Sequence, residues 1–178
     1  MLRVLLRAPL LTSSGYGVHS RQIFESISDI PGIELDVECL NWGQNPWLLN
    51  GDTNDGLIEK IMNCSRKISP PYDLTLQVQL PDEWDTSLGN KNIGISAVVE
   101  TNTCNPAWID ACNKMDYVVV PSDFTKNVLK RSGILTTQVD VIPEWFNQYI
   151  LKDSKGAIEE NISLKTKYNF LVLGQLGS

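Results

Sequence analysis

Residues 115–124 read MDYVVVPSDF, and this stretch carries the clearest fold signal in the sequence. Three consecutive valines follow a tyrosine, and a short β-branched run of this kind is typical of a strand buried in a parallel sheet. Pro and Ser then turn the chain, and Ser122 is a good N-cap for a helix over 123–131 that Gly133 ends. The stretch therefore predicts a strand, 115–120, that leads directly into a helix.

The same alternation of strand and helix continues outward in both directions. Short apolar runs predict strands over 2–8, 33–40, 73–78, 92–99 and 138–142, and residues at helical spacing predict helices over 19–30, 56–66 and 105–113. Asn105 followed by Pro106 is a favourable helix start. Such alternation calls for right-handed βαβ units. The sequence therefore predicts an α/β fold, an open, mostly parallel, Rossmann-like sheet with helices on both faces, with the acidic strand 33–40 nearer an edge.

The composition fits one soluble globular domain. The chain has 178 residues, 42% of them hydrophobic and 20% charged, and a net charge of −6. An acidic chain lacks the excess of basic residues that is typical of nucleic-acid-binding proteins, and its net negative charge disfavours binding to anionic lipids. No apolar run reaches the roughly 20 residues of a membrane span. The apolar start, 1–11, is interpreted as a buried strand rather than a signal peptide, because Arg7 interrupts it and no clean cleavage site follows.

Cysteine and histidine usage predicts no metal site. The four cysteines are scattered and form no Cys-x-x-Cys pair, and His19 is the only histidine. Single cysteines in an acidic α/β chain indicate free thiols and a cytoplasmic location.

The first βα loop, 10–18, is the leading candidate for ligand contact, because open parallel sheets bind ligands beyond the carboxyl ends of their strands. Gly15 and Gly17 allow a close approach of the backbone, and their N–H groups near a helix start suit phosphate oxygens. The alternative is a flexible loop with no ligand. The spacing Gly15-x-Gly17-x-x-Ser20 approximates a dinucleotide fingerprint, but its first glycine falls well after Pro9, so the tight turn of that site is missing.

Five further side chains are candidates, each with an alternative. His19 beside the glycines can donate a hydrogen bond or exchange a proton, or it simply packs at the helix start. Glu100 is expected to end the fourth strand and face the cleft as a base or sugar ligand, or to cap the structure. Trp108 and Trp145 suit stacking on sugar rings, although burial in the core is the more common fate of a tryptophan. Glu144 is a cleft carboxylate or an ordinary loop acid.

Five segments, in order, give the chain a family resemblance. They are GYGVHSR (15–21), VETNTCNPAW (99–108), MDYVVVPSDF (115–124), VIP (141–143) and FLVLGQL (170–176). Together they resemble the N-terminal half of family 4 retaining glycosyltransferases, which have the GT-B fold. The similarity covers nearly the whole chain, and the ordered set is more specific than any one segment.

The resemblance implies a glycosyltransferase that moves a sugar from a nucleotide-diphosphate sugar to an acceptor hydroxyl, with no metal or other cofactor. It implies catalytic roles for Glu100 and His19. It places the donor phosphates against the glycine-rich loop, at Gly15, Tyr16, Gly17 and Arg21. It places the acceptor near Thr101, Asn102, Trp108, Ser122 and Glu144.

The expected domain division follows from the same resemblance. Residues 1–145 would form the acceptor-side domain, 146–167 a linker, and 168–178 the first strand of a truncated nucleotide-sugar-binding domain. The chain by itself is then expected to be inactive, because most of the donor site would lie beyond it. Two alternatives stay open: a stand-alone flavodoxin-like module that binds a sugar or nucleotide, and a dinucleotide-binding oxidoreductase domain.

Overall fold

A computed structural model gives the fold and describes residues 1–146 and 166–170. The chain divides into two compact units, Met1–Trp145 and Phe146–Ser178. In the second unit, residues 166–168 form a bend, and Tyr168 and Phe170 are exposed. The rest of the predicted linker and of the predicted strand at 168–173 lies outside the described residues.

The first unit is built on one open sheet of six parallel strands. These are β1 (Leu2–Ala8), β2 (Ile33–Cys39), β3 (Tyr72–Val78), β4 (Gly89–Ile95), β5 (Tyr117–Val120) and β6 (Val139–Val141). Their spatial order is β2-β1-β3-β4-β5-β6. Leu6 of β1 lies opposite Val37 of β2 on one side and Leu76 of β3 on the other. The predicted parallel α/β sheet is thus confirmed, with β2 at an edge.

Four helices cover this sheet on its two faces. They are α1 (Gly15–Ile27), α2 (Leu57–Cys64), α3 (Pro106–Cys112) and α4 (Asp123–Ser132). Phe24 of α1 and Ile58 of α2 share one core with Leu6, whereas Ile109 of α3 shares another with Val118. Since successive side chains of a strand point to opposite faces, Val118 and Val119 of β5 belong to different cores. Helices therefore lie on both faces, as predicted.

Helix α1 begins at Gly15, so the prediction of a start near His19 was wrong. Ser14 is the N-cap, and its side chain accepts a hydrogen bond from the Gly17 amide. The two glycines are therefore part of the first helical turn rather than of a long loop. A capping serine offsets the poor helix propensity of glycine at these positions.

Strand β4 spans Gly89–Ile95, so the predicted span 92–99 was too late. After Ile95 the backbone leaves the sheet, because the Ser96 hydroxyl accepts a hydrogen bond from the Val98 amide and Val98 has a φ of 62°. The expectation that Glu100 ends this strand was wrong, since Glu100 lies in an exposed bend beyond it.

The connection from β3 to β4 contains a short 3-10 helix, Pro81–Glu83, in place of a long helix. Trp84 then lies against β4, where a Cβ atom on Gly94 would meet its ring at 2.6 Å. On the other face, α1 contacts β1 and α2 contacts β2. Beside α1, above β3, β4 and β5, this leaves a cavity.

None of the helices described in either range has the length and apolar character that a membrane crossing requires.

Candidate functional site

The cavity beside α1 has a volume of about 270 Å³ and an apolar floor. Three neighbouring strands supply that floor: Leu76 and Val78 from β3, Ile93 and Ile95 from β4, and Val119 from β5. Because the strands are parallel, their carboxyl ends meet at one edge of the sheet, which is where such folds bind ligands. The segment after β6 closes the same edge with Ile142, Glu144 and Trp145.

His19 and Glu144 form the ionisable part of the rim. The His19 Nδ1 and Glu144 Oε1 atoms are 3.9 Å apart, and the side chains are 13% and 46% exposed. Nδ1 is buried and has no hydrogen-bond partner among the described residues. Burial lowers the pKa of His19, and the Glu144 carboxylate offsets part of that change. The imidazole is therefore neutral at pH 7.

Tyr16 fixes the first turn of α1 against the end of β4. Its hydroxyl lies 3.2 Å from the Ser96 hydroxyl and accepts a hydrogen bond of 3.0 Å from the Ala97 amide. Its ring stacks on Trp42 with centroids 3.9 Å apart. Burial raises the pKa of Tyr16, so the hydroxyl stays protonated. Sequence patterns do not predict this anchor, because only the fold brings the Ser96 hydroxyl next to the Tyr16 hydroxyl.

The N-terminus of α1 presents backbone donors at the carboxyl edge of β1. In the described part of the chain, no hydrogen bond reaches the amide N–H of Gly15 or of Tyr16. Gly15 is exposed. Unpaired N–H groups at a helix start, together with the helix dipole, favour an anion. The phosphate contact at Gly15 and Tyr16 stays a prediction, and both amides are without a partner in the described residues.

Gly17 has a different part in the same turn. Its amide donates to the Ser14 hydroxyl at 3.0 Å, so that N–H group is already used. A Cβ atom at Gly17 would lie 2.2 Å from the carbonyl oxygen of Thr12. The glycine is therefore needed for close packing of the helix on the preceding loop, rather than for the predicted donation to phosphate.

Arg21 is likewise engaged inside the protein. The side chain is buried, and its Nη1 donates to the carbonyl oxygens of Leu10 at 2.7 Å and Thr12 at 2.9 Å. It stabilises the loop that precedes α1 from within. Its predicted contact with donor phosphates would require both bonds to break.

Most of the predicted acceptor-side residues lie away from the cavity. Glu100, Thr101 and Asn102 are exposed in the bend after β4. Trp108 packs against the core shared by α3 and α4. Ser122 caps α4, and its hydroxyl accepts from the Thr125 amide at 3.1 Å. Of this set, only Glu144 lines the cavity.

Gln22 is a further residue that sequence reasoning missed. It is buried on α1, and its side-chain amide donates to the carbonyl oxygen of Trp145. This bond holds the segment after β6 beside His19, and it brings Glu144 to the cavity. Its signal in the sequence is weak, because a glutamine within a helix is ordinarily a surface residue.

The described residues contain no group of three His, Cys, Asp or Glu side chains placed to hold a metal ion. All four cysteines are free, and burial raises the pKa of Cys112 to about 12. No protein-family model, no curated protein and no solved structure matches the chain. The function is therefore inferred from the residues of the cavity and of the α1 N-terminus.

Proposed function

We propose that residues 1–145 form the acceptor-side domain of a glycosyltransferase that moves a sugar from a nucleotide-diphosphate sugar to an acceptor hydroxyl. One observation carries the proposal. Two unpartnered amides in the first turn of α1 lie one helical turn before His19, whose partly buried imidazole is beside the Glu144 carboxylate at the same edge of the sheet. The first pair suits a diphosphate, and the second suits a hydroxyl group.

The diphosphate gains negative charge as it leaves the sugar. The Gly15 and Tyr16 amides, at the positive end of a 13-residue helix, would stabilise that charge without having to reorient. Tyr16 is held by Ser96 and Ala97, so the turn is rigid before any ligand arrives. Electrostatic stabilisation of this kind requires donors that are fixed in advance.

The acceptor hydroxyl must lose a proton during transfer. Its oxygen bonds to the anomeric carbon while the bond from that carbon to the diphosphate oxygen breaks, and the diphosphate leaves with the electron pair. The proton moves to Nδ1 of His19, and the Glu144 carboxylate stabilises the resulting imidazolium. His19 has this role in our proposal in place of Glu100, which does not line the cavity.

The strand order supports a second candidate. Its first five strands have the flavodoxin-like order β2-β1-β3-β4-β5, in which phosphate-bearing ligands bind at the β1/β3 switch point. A stand-alone nucleotide- or sugar-binding module would use the same α1 amides without any transfer. In either case we propose a cytoplasmic protein that needs no metal or other cofactor and has no nucleic-acid partner. The free thiols support the cytoplasmic location, and the net charge of −6 supports the absence of a nucleic-acid partner.

The Gly15→Pro variant tests the phosphate site. Proline removes the Gly15 N–H but is well tolerated at the first position of a helix. Ser14 already has the extended conformation that precedes proline, with φ −85° and ψ 167°. Gly15→Ala is the matched control, since a Cβ there meets nothing within 4 Å and the N–H remains.

Binding of inorganic pyrophosphate and UDP is followed by amide chemical shifts of the 178-residue chain. We expect a saturable shift at Tyr16 in the wild type and in Gly15→Ala. Loss of one hydrogen bond to a charged group, about 1.5–3 kcal/mol, should weaken binding about tenfold or more in Gly15→Pro. Equal binding by the two variants contradicts the phosphate site, and stabilisation by NAD in place of UDP favours the oxidoreductase alternative.

Transfer itself is measured in the natural protein that carries this chain. Labelled sugar from UDP- or GDP-sugars should pass to a hydroxyl acceptor, and Gly15→Pro should reduce the rate while Gly15→Ala does not. Nucleotide binding without any transfer supports the binding module instead. The 178-residue chain alone should bind without turnover, and transfer by that chain would contradict the proposed division of the site.

A further inference from the structure

The cavity beside α1 has the size of a small organic ligand. Its 270 Å³ exceeds the roughly 150 Å³ of an engineered apolar cavity that binds benzene. It falls just below the roughly 300–1,000 Å³ of typical drug-sized sites. Ile93, Ile95 and Val119 form the middle of its floor, and they offer nothing to a polar ligand. The volume thus admits one substituted ring or a short branched chain.

Few polar atoms at the cavity are free to bind a ligand. The hydroxyls of Tyr16 and Ser96 face one another and also bond to the amides of Ala97 and Val98. The His19 Nδ1 atom is buried without a partner, and Glu144 is not its hydrogen-bond partner at 3.9 Å. His19 and Glu144 are therefore the acid–base pair that the described lining residues offer to a ligand.

A single hydroxyl oxygen matches the spacing of the two side chains. Hydrogen bonds of about 2.8 Å from one oxygen can reach both Nδ1 and Oε1 across 3.9 Å when that oxygen lies beside the line joining them. With Nδ1 protonated, the hydroxyl accepts from Nδ1–H and donates to Oε1; with Nδ1 unprotonated, it donates to Nδ1, as the proposed transfer step requires. A bare carbonyl has no donor and would match only a protonated Nδ1.

We propose that this cavity binds a compact apolar alcohol or phenol, whose body lies on the floor and whose single hydroxyl bridges His19 and Glu144. A free sugar is a poorer occupant, because each hydroxyl buried against isoleucine or valine without a partner loses its hydrogen bonds to water. That this ligand is the acceptor rests on the proposed function; its binding does not.

Three ligands of graded chemistry test the proposal on the 178-residue chain. 4-Ethylphenol has both the apolar body and the hydroxyl, ethylbenzene lacks the hydroxyl, and glucose lacks the apolar body. Methyl chemical shifts of Ile93, Ile95 and Val119 report on occupancy. We expect 4-ethylphenol to shift these methyl groups saturably, ethylbenzene to bind at least about fivefold more weakly, and glucose to leave them unchanged. Equal binding of the first two ligands, or no shift with 4-ethylphenol, overturns the proposal.

Variants then locate the two halves of the ligand. Glu144→Ala should weaken the binding of 4-ethylphenol and leave the binding of ethylbenzene unchanged. Val119→Phe should place a larger side chain in the cavity and abolish the binding of both ligands. If that variant does not fold, Ser26→Phe fills the cavity from an exposed position at its rim. Glu25→Phe is the matched control, because Glu25 is the neighbouring exposed residue and does not line the cavity. Binding that survives Ser26→Phe, or is lost equally in Glu25→Phe, overturns the assignment to this cavity.

The outcomes separate this inference from the proposed function. If 4-ethylphenol occupies the cavity but the natural protein transfers no sugar to any hydroxyl, the cavity assignment stands and the glycosyltransferase proposal fails. If the natural protein transfers sugar to polyhydroxyl acceptors while 4-ethylphenol leaves the floor methyl groups unshifted, the transferase proposal stands and this inference fails.

Discussion

At the scale of single residues, the two glycines of α1 differ in the space around them: a side chain fits at Gly15 but not at Gly17. Gly17→Ala should destabilise the protein, because the new Cβ would lie 2.2 Å from the Thr12 carbonyl oxygen. That oxygen cannot easily move, since Arg21 also bonds to it at 2.9 Å. Overpacking of this kind costs about 1–3 kcal/mol. The free energy of unfolding in urea measures the loss, which should exceed any loss in Gly15→Ala, and similar stabilities would contradict the close packing.

A sequence pattern cannot distinguish these two glycines. Both belong to the segment GYGVHSR, and both were predicted to donate to phosphate. The difference arises from Ser14, which uses the Gly17 amide, and from the Thr12 carbonyl, which approaches Gly17 and not Gly15. Both effects depend on how the loop returns to the helix, so they belong to tertiary structure.

At the scale of elements, α4 shows how local chemistry determines a helix. Ser122 caps it, Asp123 lies in its first turn, and Lys130 and Arg131 lie in its last turn, so charges at both ends complement the helix dipole. Ser122→Ala should reduce the free energy of unfolding by about 1 kcal/mol. Ser122→Asn restores a side-chain acceptor and should recover most of that loss. If both variants unfold at the same urea concentration, the cap does not stabilise α4.

Elements with local signals were the predictable ones. Asn105 and Pro106 start α3 as predicted, and Ser122 and Gly133 bound α4. The end of β4 was predicted wrongly, because ISAVV continues an apolar run although Val98 turns away with a positive φ. Hydrophobicity alone cannot reveal that turn, since the Ser96 hydroxyl that holds it is an ordinary polar residue in the sequence.

At the scale of the whole molecule, the site joins segments that are distant in the chain. His19 comes from α1, Ser96 from the end of β4, and Glu144 from the segment after β6. The parallel order predicted that strand ends would meet, but it could not say which side chains would reach the cavity. Glu144 was a candidate that the fold brings to His19, whereas Glu100 was one that it leaves in solvent. The difference comes from Gln22, whose bond to Trp145 holds the last segment in place.

This assembly predicts how stability changes with pH. His19 is the only histidine, and burial lowers its pKa in the folded protein, while Glu144 offsets part of the change. The unfolded chain takes up that proton at about pH 6.5 and the folded protein only at lower pH. The free energy of unfolding should therefore be highest above about pH 6.5, fall as the pH drops below it, and level off below the folded pKa. Asp85 and Asp116, whose pKa values are lowered by hydrogen bonds from Ser87 and Lys91, titrate in a more acidic range.

Urea unfolding of the wild type and of His19→Gln at about pH 7.5 and 5 measures this effect. We expect the wild type to lose more stability than the variant between the two pH values, because only the wild type must keep a buried imidazole uncharged. An ion pair strong enough to raise the His19 pKa would reverse the sign, making the wild type gain stability relative to the variant at the lower pH. That reversal would show that Glu144 holds a charged imidazolium in the resting protein. His19 could then no longer accept the proton of a bound hydroxyl.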